Sequence, residues 1–183
     1  LRAAGLSPTQ VKILIVNDSN LNAFVVGNDA IFIHYGLLNK MKRADMLQAV
    51  IAHEAAHITN GHITRRLTNI GSSRTIAGLG LALAVAAAAA GATEGAVGIA
   101  LGTQSAAQRA FFKHTRAEEA SADQSGVRYL RSAKISTKGM LDVLEIFRGQ
   151  ELLSENRQDP YTRSHPLSRD RIRNLQGFSA SDK

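Results

Sequence analysis

The run Ala52-His53-Glu54-Ala55-Ala56-His57-Ile58 constrains this chain more than any other stretch. His53 and His57 stand four residues apart. On a helix that spacing leaves them about 40° apart around the axis and about 6 Å along it, so two imidazoles can reach one ion. Glu54 is too near His53 in sequence to serve as an easy third ligand, yet it is placed to reach a water on the same metal. That is the arrangement of a hydrolase. A pattern of this kind arises by chance with a probability on the order of 0.01 in a chain of this size. Its surroundings argue against chance: Met46, Leu47, Ala49, Val50, Ile51 and Ala52 are apolar at helical spacing, with no Gly or Pro among them. The fold must therefore bury a helix that carries two imidazoles and a carboxylate.

The chain has no cysteine, which removes thiolate sites and leaves His and carboxylate as the ligands. Glu119 and Asp123, also four apart, share one helix face. A catalytic zinc commonly takes two His and one Glu and keeps a fourth position for water. Ligating histidines usually donate their other ring N–H to a carboxylate. Glu119 thus fits as the third ligand and Asp123 as the acceptor that fixes one imidazole. The competing reading is a solvated acidic turn, with Glu118 pairing with Arg116. His62 lies five residues past His57, about 140° round a continuous helix, and cannot join the same ion unless the helix breaks. Gly61 could permit a break, but the longer zinc motif needs Gly and His where Asn60 and Ile63 stand, so a supporting role is expected for His62.

The β-branched run 11–16 reads as a strand closed by Asn17-Asp18-Ser19-Asn20. Residues 22–26 and 30–34 flank Gly27-Asn28-Asp29 and read as a hairpin. The expectation is a small antiparallel sheet ahead of the metal helix, either offering an edge strand to an extended peptide or merely roofing the helices. A short helix over 35–41, a polar break at 40–43 and a long helix from Ala44 to about Arg66 should follow. Residues 75–93 carry no charge and are long enough to span a bilayer. Their Ala and Gly gain little from hydrocarbon. With 95–107 they read as closely packed helices or a membrane-touching hairpin, and the chain should need no detergent. Apolar residues at helical spacing continue over 139–147. The polar stretch 150–162 reads as a mobile loop that delivers Ser164-His165-Pro166 to a closing helix over 167–174. In such a loop an isolated His is ordinarily just solvated.

Length fits one domain over 1–183. The net charge of +7 would suit an anionic partner, but aromatics are 5% and the basic residues are scattered, so nucleic acid is excluded as a partner. A start at Leu1 with no basic, apolar leader reads as a fragment whose targeting segment is not visible.

His53-Glu54-Ala55-Ala56-His57 followed by Glu119-Ala120-Ser121-Ala122-Asp123 resembles the M48 family of zinc metallopeptidases, relatives of the CAAX prenyl protease and of the membrane protease HtpX. Asn22-Ala23-Phe24 is similar to that family's substrate-side strand, Gly36-Leu37-Leu38 to its pre-helix turn, and His165-Pro166 with Arg171-Ile172 to its C-terminal signature. The small-residue insert resembles the soluble, periplasmic BepA-like branch, whose members carry a repeat domain that is not part of this sequence. The resemblance implies a zincin-like domain, α+β and mostly helical, with one Zn2+ per chain. It implies that His165 can approach the zinc and Arg171 the substrate oxyanion. It also implies a polypeptide substrate at residues 22–24, envelope or membrane-protein partners, membrane association through 75–107, and a periplasmic or membrane-associated location. The expected activity is zinc endopeptidase with Glu54 as general base, in envelope protein quality control. The alternative is a protease-derived module with a latent site and a chaperone-like or assembly-assisting role. His165 beside the vacant fourth position suggests a latch that holds the enzyme at rest.

Overall fold

The computed structural model describes residues 1–69 and 113–182. Three strands, β1 (Lys12–Val16), β2 (Ala23–Val26) and β3 (Ala30–His34), form one sheet in the order β1-β3-β2. The β2–β3 hairpin is antiparallel, with Phe24 opposite Phe32. It turns at Gly27, whose φ of 62° is the left-handed conformation that such tight turns use. β1, however, pairs parallel to β3, from Lys12 opposite Ala30 to Val16 opposite His34. The sheet is therefore mixed rather than wholly antiparallel. The cause lies in the link between β1 and β2, which crosses the end of β3 instead of folding back beside β1. It passes so close to α1 (Tyr35–Lys40) that Gly36 N–H donates to Asp18 O at 2.9 Å. A Cβ on Gly36 would stand 2.0 Å from Ser19 O, so only glycine fits under the crossing.

Alternation along the hairpin sends Ala23, Val25, Ile31 and Ile33 to one face, where they pack with Val50, Ala55 and Ile58 of α2 (Ala44–Thr59). On its other side α2 gives Ala49 and Ala52 to a second cluster. That cluster contains Val127 and Leu130 of α4 (Arg116–Ser132), Met140 and Leu144 of α5 (Lys138–Ile146), and Leu175 of α7 (Arg169–Ala180). Because α2 serves both clusters, every residue from Ala52 to Ile58 is buried. Fully burying a side chain of Val or Ile size contributes roughly 1.5–3 kcal/mol, so this helix is anchored from both sides.

α2 stops sooner than the sequence suggested. It ends at Thr59 rather than near Arg66, Gly61 takes φ 66°, and a new helix, α3 (His62–Asn69), begins at once. The turn is pinned to α4: Asn60 Nδ2 donates to Ser121 Oγ at 3.0 Å, and Ser125 Oγ donates to Asn60 Oδ1 at 3.2 Å. α4 itself opens with a capping box. Thr115 Oγ1 accepts from Glu118 N at 3.2 Å, and Thr115 N donates to Glu118 Oε2 at 2.8 Å. Glu118 is thereby occupied at the helix start, and Glu119 is free to turn inward.

The stretch expected as a mobile loop is instead built into the fold. Gln150 Oε1 accepts from Asp159 N at 2.8 Å, and the short helix α6 (Pro160–Ser164) follows, with Tyr161 N donating to Leu21 O at 3.1 Å. Among the described residues no helix is long and apolar enough to cross a membrane. Residues 75–93 and 95–107, for which membrane contact was considered, lie outside the described residues.

Candidate metal centre

Helix α2 supplies His53 and His57 from adjacent turns, and α4, packed along it, supplies Glu119. His53 Nε2 and His57 Nε2 are 3.0 Å apart. Glu119 Oε2 lies 3.4 Å from His53 Nε2, and Glu119 Oε1 lies 3.3 Å from His57 Nε2. A fourth donor comes from the turn after α6: His165 Nδ1 is 3.1 Å from Glu119 Oε1 and 3.4 Å from His53 Nε2. All four residues are buried. Zinc–nitrogen bonds of about 2.0 Å at tetrahedral angles separate neighbouring donors by about 3.3 Å. The spacing and the donor set of three imidazoles and one carboxylate therefore fit a zinc ion.

Each donor is held from behind. His53 Nδ1 lies 3.0 Å from Asp123 Oδ1, so with Nε2 facing the site the Nδ1–H donates to that carboxylate. Arg171 then grips Asp123 in a fork, Nε to Oδ2 at 2.7 Å and Nη2 to Oδ1 at 2.8 Å. Its Nη1 reaches Glu119 Oε2 at 2.6 Å. Burial would raise the Glu119 carboxyl, but Arg171, His165 and His53 hold it well below the usual carboxylate range. The same balance, burial opposed chiefly by Arg171 and by the hydrogen bond from His53, keeps Asp123 low. For His53 burial favours the neutral ring, yet Glu119 and Asp123 outweigh it and push the pKa up to about 10. Without an ion, His53 thus carries a proton that a metal would have to displace. For His57 burial prevails and keeps the ring neutral, the form a metal takes.

Glu54 sits on the rim of this cluster and is fully buried, and neither of its carboxylate oxygens has a hydrogen-bond partner among the described residues. Its nearest cationic candidate is His165, with Nε2 3.4 Å from Oε1. Burial raises the Glu54 pKa, and His165 and His53 offset only part of that. A buried carboxylate with unmet acceptors and a raised pKa is suited to taking a proton from a water.

The structure brings together His53, Glu54, His57, Glu119, Asp123 and His165. It places the Arg171 guanidinium on two carboxylates behind the site, Glu119 and Asp123. Of Asn22-Ala23-Phe24, the Ala23 carbonyl is at the site, where it lies 3.2 Å from His165 Nε2. Asn22 is buried with Oδ1 unpartnered among the described residues, and the Phe24 ring stacks on Phe32 with centroids 5.2 Å apart. Two neighbours had no signal in the sequence. Tyr161 stacks on His165 with centroids 4.5 Å apart, and His114 stacks on His57 at 3.7 Å. Both arrive through contacts distant in sequence, which periodicity does not report. His62 was the one supporting residue that its place near the motif could suggest.

Comparisons with known proteins agree with this geometry. A family profile described as Peptidase family M48 matches residues 1–179. A Vibrio cholerae protein described as a beta-barrel assembly-enhancing protease is 29% identical over 90% of this chain and 34% of its own length. The beta-barrel assembly-enhancing protease of Escherichia coli K12 is 24% identical over 90% of this chain and 33% of its own length. Metalloprotease LoiP of the same strain is 27% identical over 96% of this chain and 64% of its own length. The chain thus spans about a third of the assembly-enhancing proteases that it matches.

Proposed function

Since the chain belongs to peptidase family M48, we propose that it is a zinc-dependent endopeptidase in which Glu54 is the general base. The observation that carries this reading is the convergence of four buried donor atoms beside a buried carboxylate with unmet acceptors. His53, His57 and Glu119 would hold the ion, and Asp123 with Arg171 would hold the ligands. When bound, the ion lowers the pKa of a water and polarises the scissile carbonyl. Glu54 takes the proton from the attacking water and later delivers it to the leaving amine. The raised pKa of Glu54 brings it closer to working pH, where both transfers are efficient. Strand β2 binds the polypeptide by adding it to the sheet edge, with the Ala23 carbonyl accepting a backbone N–H. Arg171 acts through Glu119 and Asp123 as a positioning residue.

His165 gives this reading a resting state. Its Nδ1 faces the donor cluster while its Nε2–H donates to Ala23 O, so one ring would serve as a fourth ligand and cover the strand's acceptor together. Substrate binding requires that ring to leave. This arrangement also favours the second reading, in which the site stays latent and the module acts by binding. The relatives' names connect beta-barrel assembly with proteolysis. On that basis the proposed role is envelope protein quality control on polypeptide substrates, in the periplasm or at a membrane.

Metal analysis with casein digestion tests the proposal. Wild type should hold about one zinc per chain and cleave casein. Glu54→Gln should keep the zinc and lose at least the roughly 10²–10⁴-fold that acid–base catalysis supplies. An active Glu54→Gln protein would exclude Glu54 as base, and a zinc-loaded, inactive His165→Ala protein would overturn the resting-state role and make His165 a transition-state donor.

A further inference from the structure

The three ligands on α2 and α4 are supported unequally, and the inequality marks a residue with no assigned role. His53 leans on an anion, Asp123 at 3.0 Å. Glu119 leans on a cation, Arg171 at 2.6 Å. His57 leans on neither: its Nδ1 lies 2.9 Å from Nδ1 of His62, another fully buried imidazole. A neutral imidazole has one N–H and one lone pair. If His57 Nε2 faces the ion, its proton must sit on Nδ1, and the group receiving it must accept through Nδ1. His62 is therefore neutral, with its own proton on Nε2.

We propose that His62 is a positioning residue that fixes the tautomer and ring orientation of His57 through the hydrogen bond His57 Nδ1–H to His62 Nδ1. The inference rests on the zinc reading above and extends it to a residue outside the motif.

The local fold is consistent with this assignment. On an unbroken helix, residue 62 would point about 140° away from residue 57. The break at Asn60-Gly61 restarts the chain as α3 at His62 itself. Gly61 at φ 66° makes that reversal, which costs a residue with a Cβ roughly 1–2 kcal/mol. Asn60 is tied through Ser121 and Ser125 to α4, the helix that carries Glu119 and Asp123. His62 is thus referenced to both ligand-bearing helices. His114 stacks on the His57 ring, with centroids 3.7 Å apart.

A neutral acceptor polarises the ligand ring less than a carboxylate does, so His57 would be the weaker of the two imidazole donors on α2. Loss of such a supporting partner typically lowers metal affinity about 10–100-fold. A rival reading of the same cluster is a second ion held by His57, His62 and His114, whose donor atoms all lie within 4.8 Å of one another.

The test uses the whole chain and four proteins: wild type, His62→Phe, His62→Leu and His62→Asn. Asn presents an amide oxygen near the position of Nδ1, whereas Phe and Leu fill the space and offer no acceptor. Zinc affinity by competition with a chromophoric chelator should fall about 10–100-fold in the Phe and Leu variants and largely recover in Asn. The visible spectrum of the cobalt-loaded protein should shift in the first two and return in the third. Nitrogen NMR of the zinc-loaded protein should show His57 protonated at Nδ1 and His62 at Nε2. Equal affinity in all four proteins overturns the inference, as does a His62 proton on Nδ1. Two zinc ions per wild-type chain, falling to one in His62→Phe, overturns it in favour of the second ion. A wild type that binds neither zinc nor cobalt removes the zinc reading itself and this inference with it.

Discussion

Three of the four converging donors stand on helices, and the fourth comes from a turn. His53, His57 and Glu119 are carried by α2 and α4, and each is gripped from behind within 3.0 Å, by Asp123, His62 and Arg171. His165 follows a five-residue helix and sits at φ −118°, ψ 81°. Its ring is held by the Ala23 carbonyl, by Glu119 and by the face of Tyr161. The first group stands on long helices packed into the core, whereas the second stands in a short connecting segment, though Tyr161 and Thr162 of that segment are buried too. Local opening is cheapest where few packed contacts must be given up. The difference is between donors fixed by regular helices and one fixed by a turn.

The largest effect that probes this contrast is removal of a helix-borne ligand. Glu119→Ala should lose its zinc on dialysis, measured as metal per chain, and with it all casein cleavage. An ion retained by that variant but lost from Glu118→Ala would reverse the assignment of the two acidic residues. Arg171→Ala comes next. It leaves two buried carboxylates without their cation, and breaking a buried pair from one side costs about 3–5 kcal/mol. Urea denaturation in chelator should show that loss, and added zinc should reduce it by supplying positive charge.

His165→Ala tests the turn-borne half. Zinc should remain near one per chain while basal proteolysis or self-cleavage rises severalfold. A fall in metal content equal to that of Glu119→Ala would erase the distinction. The smallest effect concerns Glu54. Its folded pKa is raised, so the ionised form costs stability above the unfolded value near 4.3. Metal-free Glu54→Gln should therefore be more stable than wild type at pH 7, because the neutral amide avoids ionising a buried carboxyl, by about 1.4 kcal/mol for each tenfold by which the fold raises that group's proton affinity. The gain should vanish as pH falls through about 4, where the wild-type carboxyl is neutral too.

What could be read in the sequence divides along the same line. Helical periodicity is local, so the pairs His53/His57 and Glu119/Asp123 declared a shared face before any fold was known. The contact between α2 and α4 then needed only a common ion to be inferred. Strand limits were legible from β-branched runs and turn residues. The order of the sheet was not, because the link over 17–22 could return beside β1 or cross over β3, and the choice depends on where α1 begins. The end of α2 was missed by several residues: Gly61 advertises a break, but the pull of Asn60 toward Ser121 and Ser125 is tertiary. Arg171 was the least legible. Nothing local shows that a guanidinium 48 residues from Asp123 will be buried against it. Resemblance to the family pointed that group at the substrate, and in the fold it reaches Glu119 and Asp123.

From Ala52 to Ile58 the central helix has no solvent face. A change at any of these seven positions either disturbs packing on the sheet or on α4, or touches the chemistry itself. The stretch therefore offers no neutral ground on which variants can accumulate.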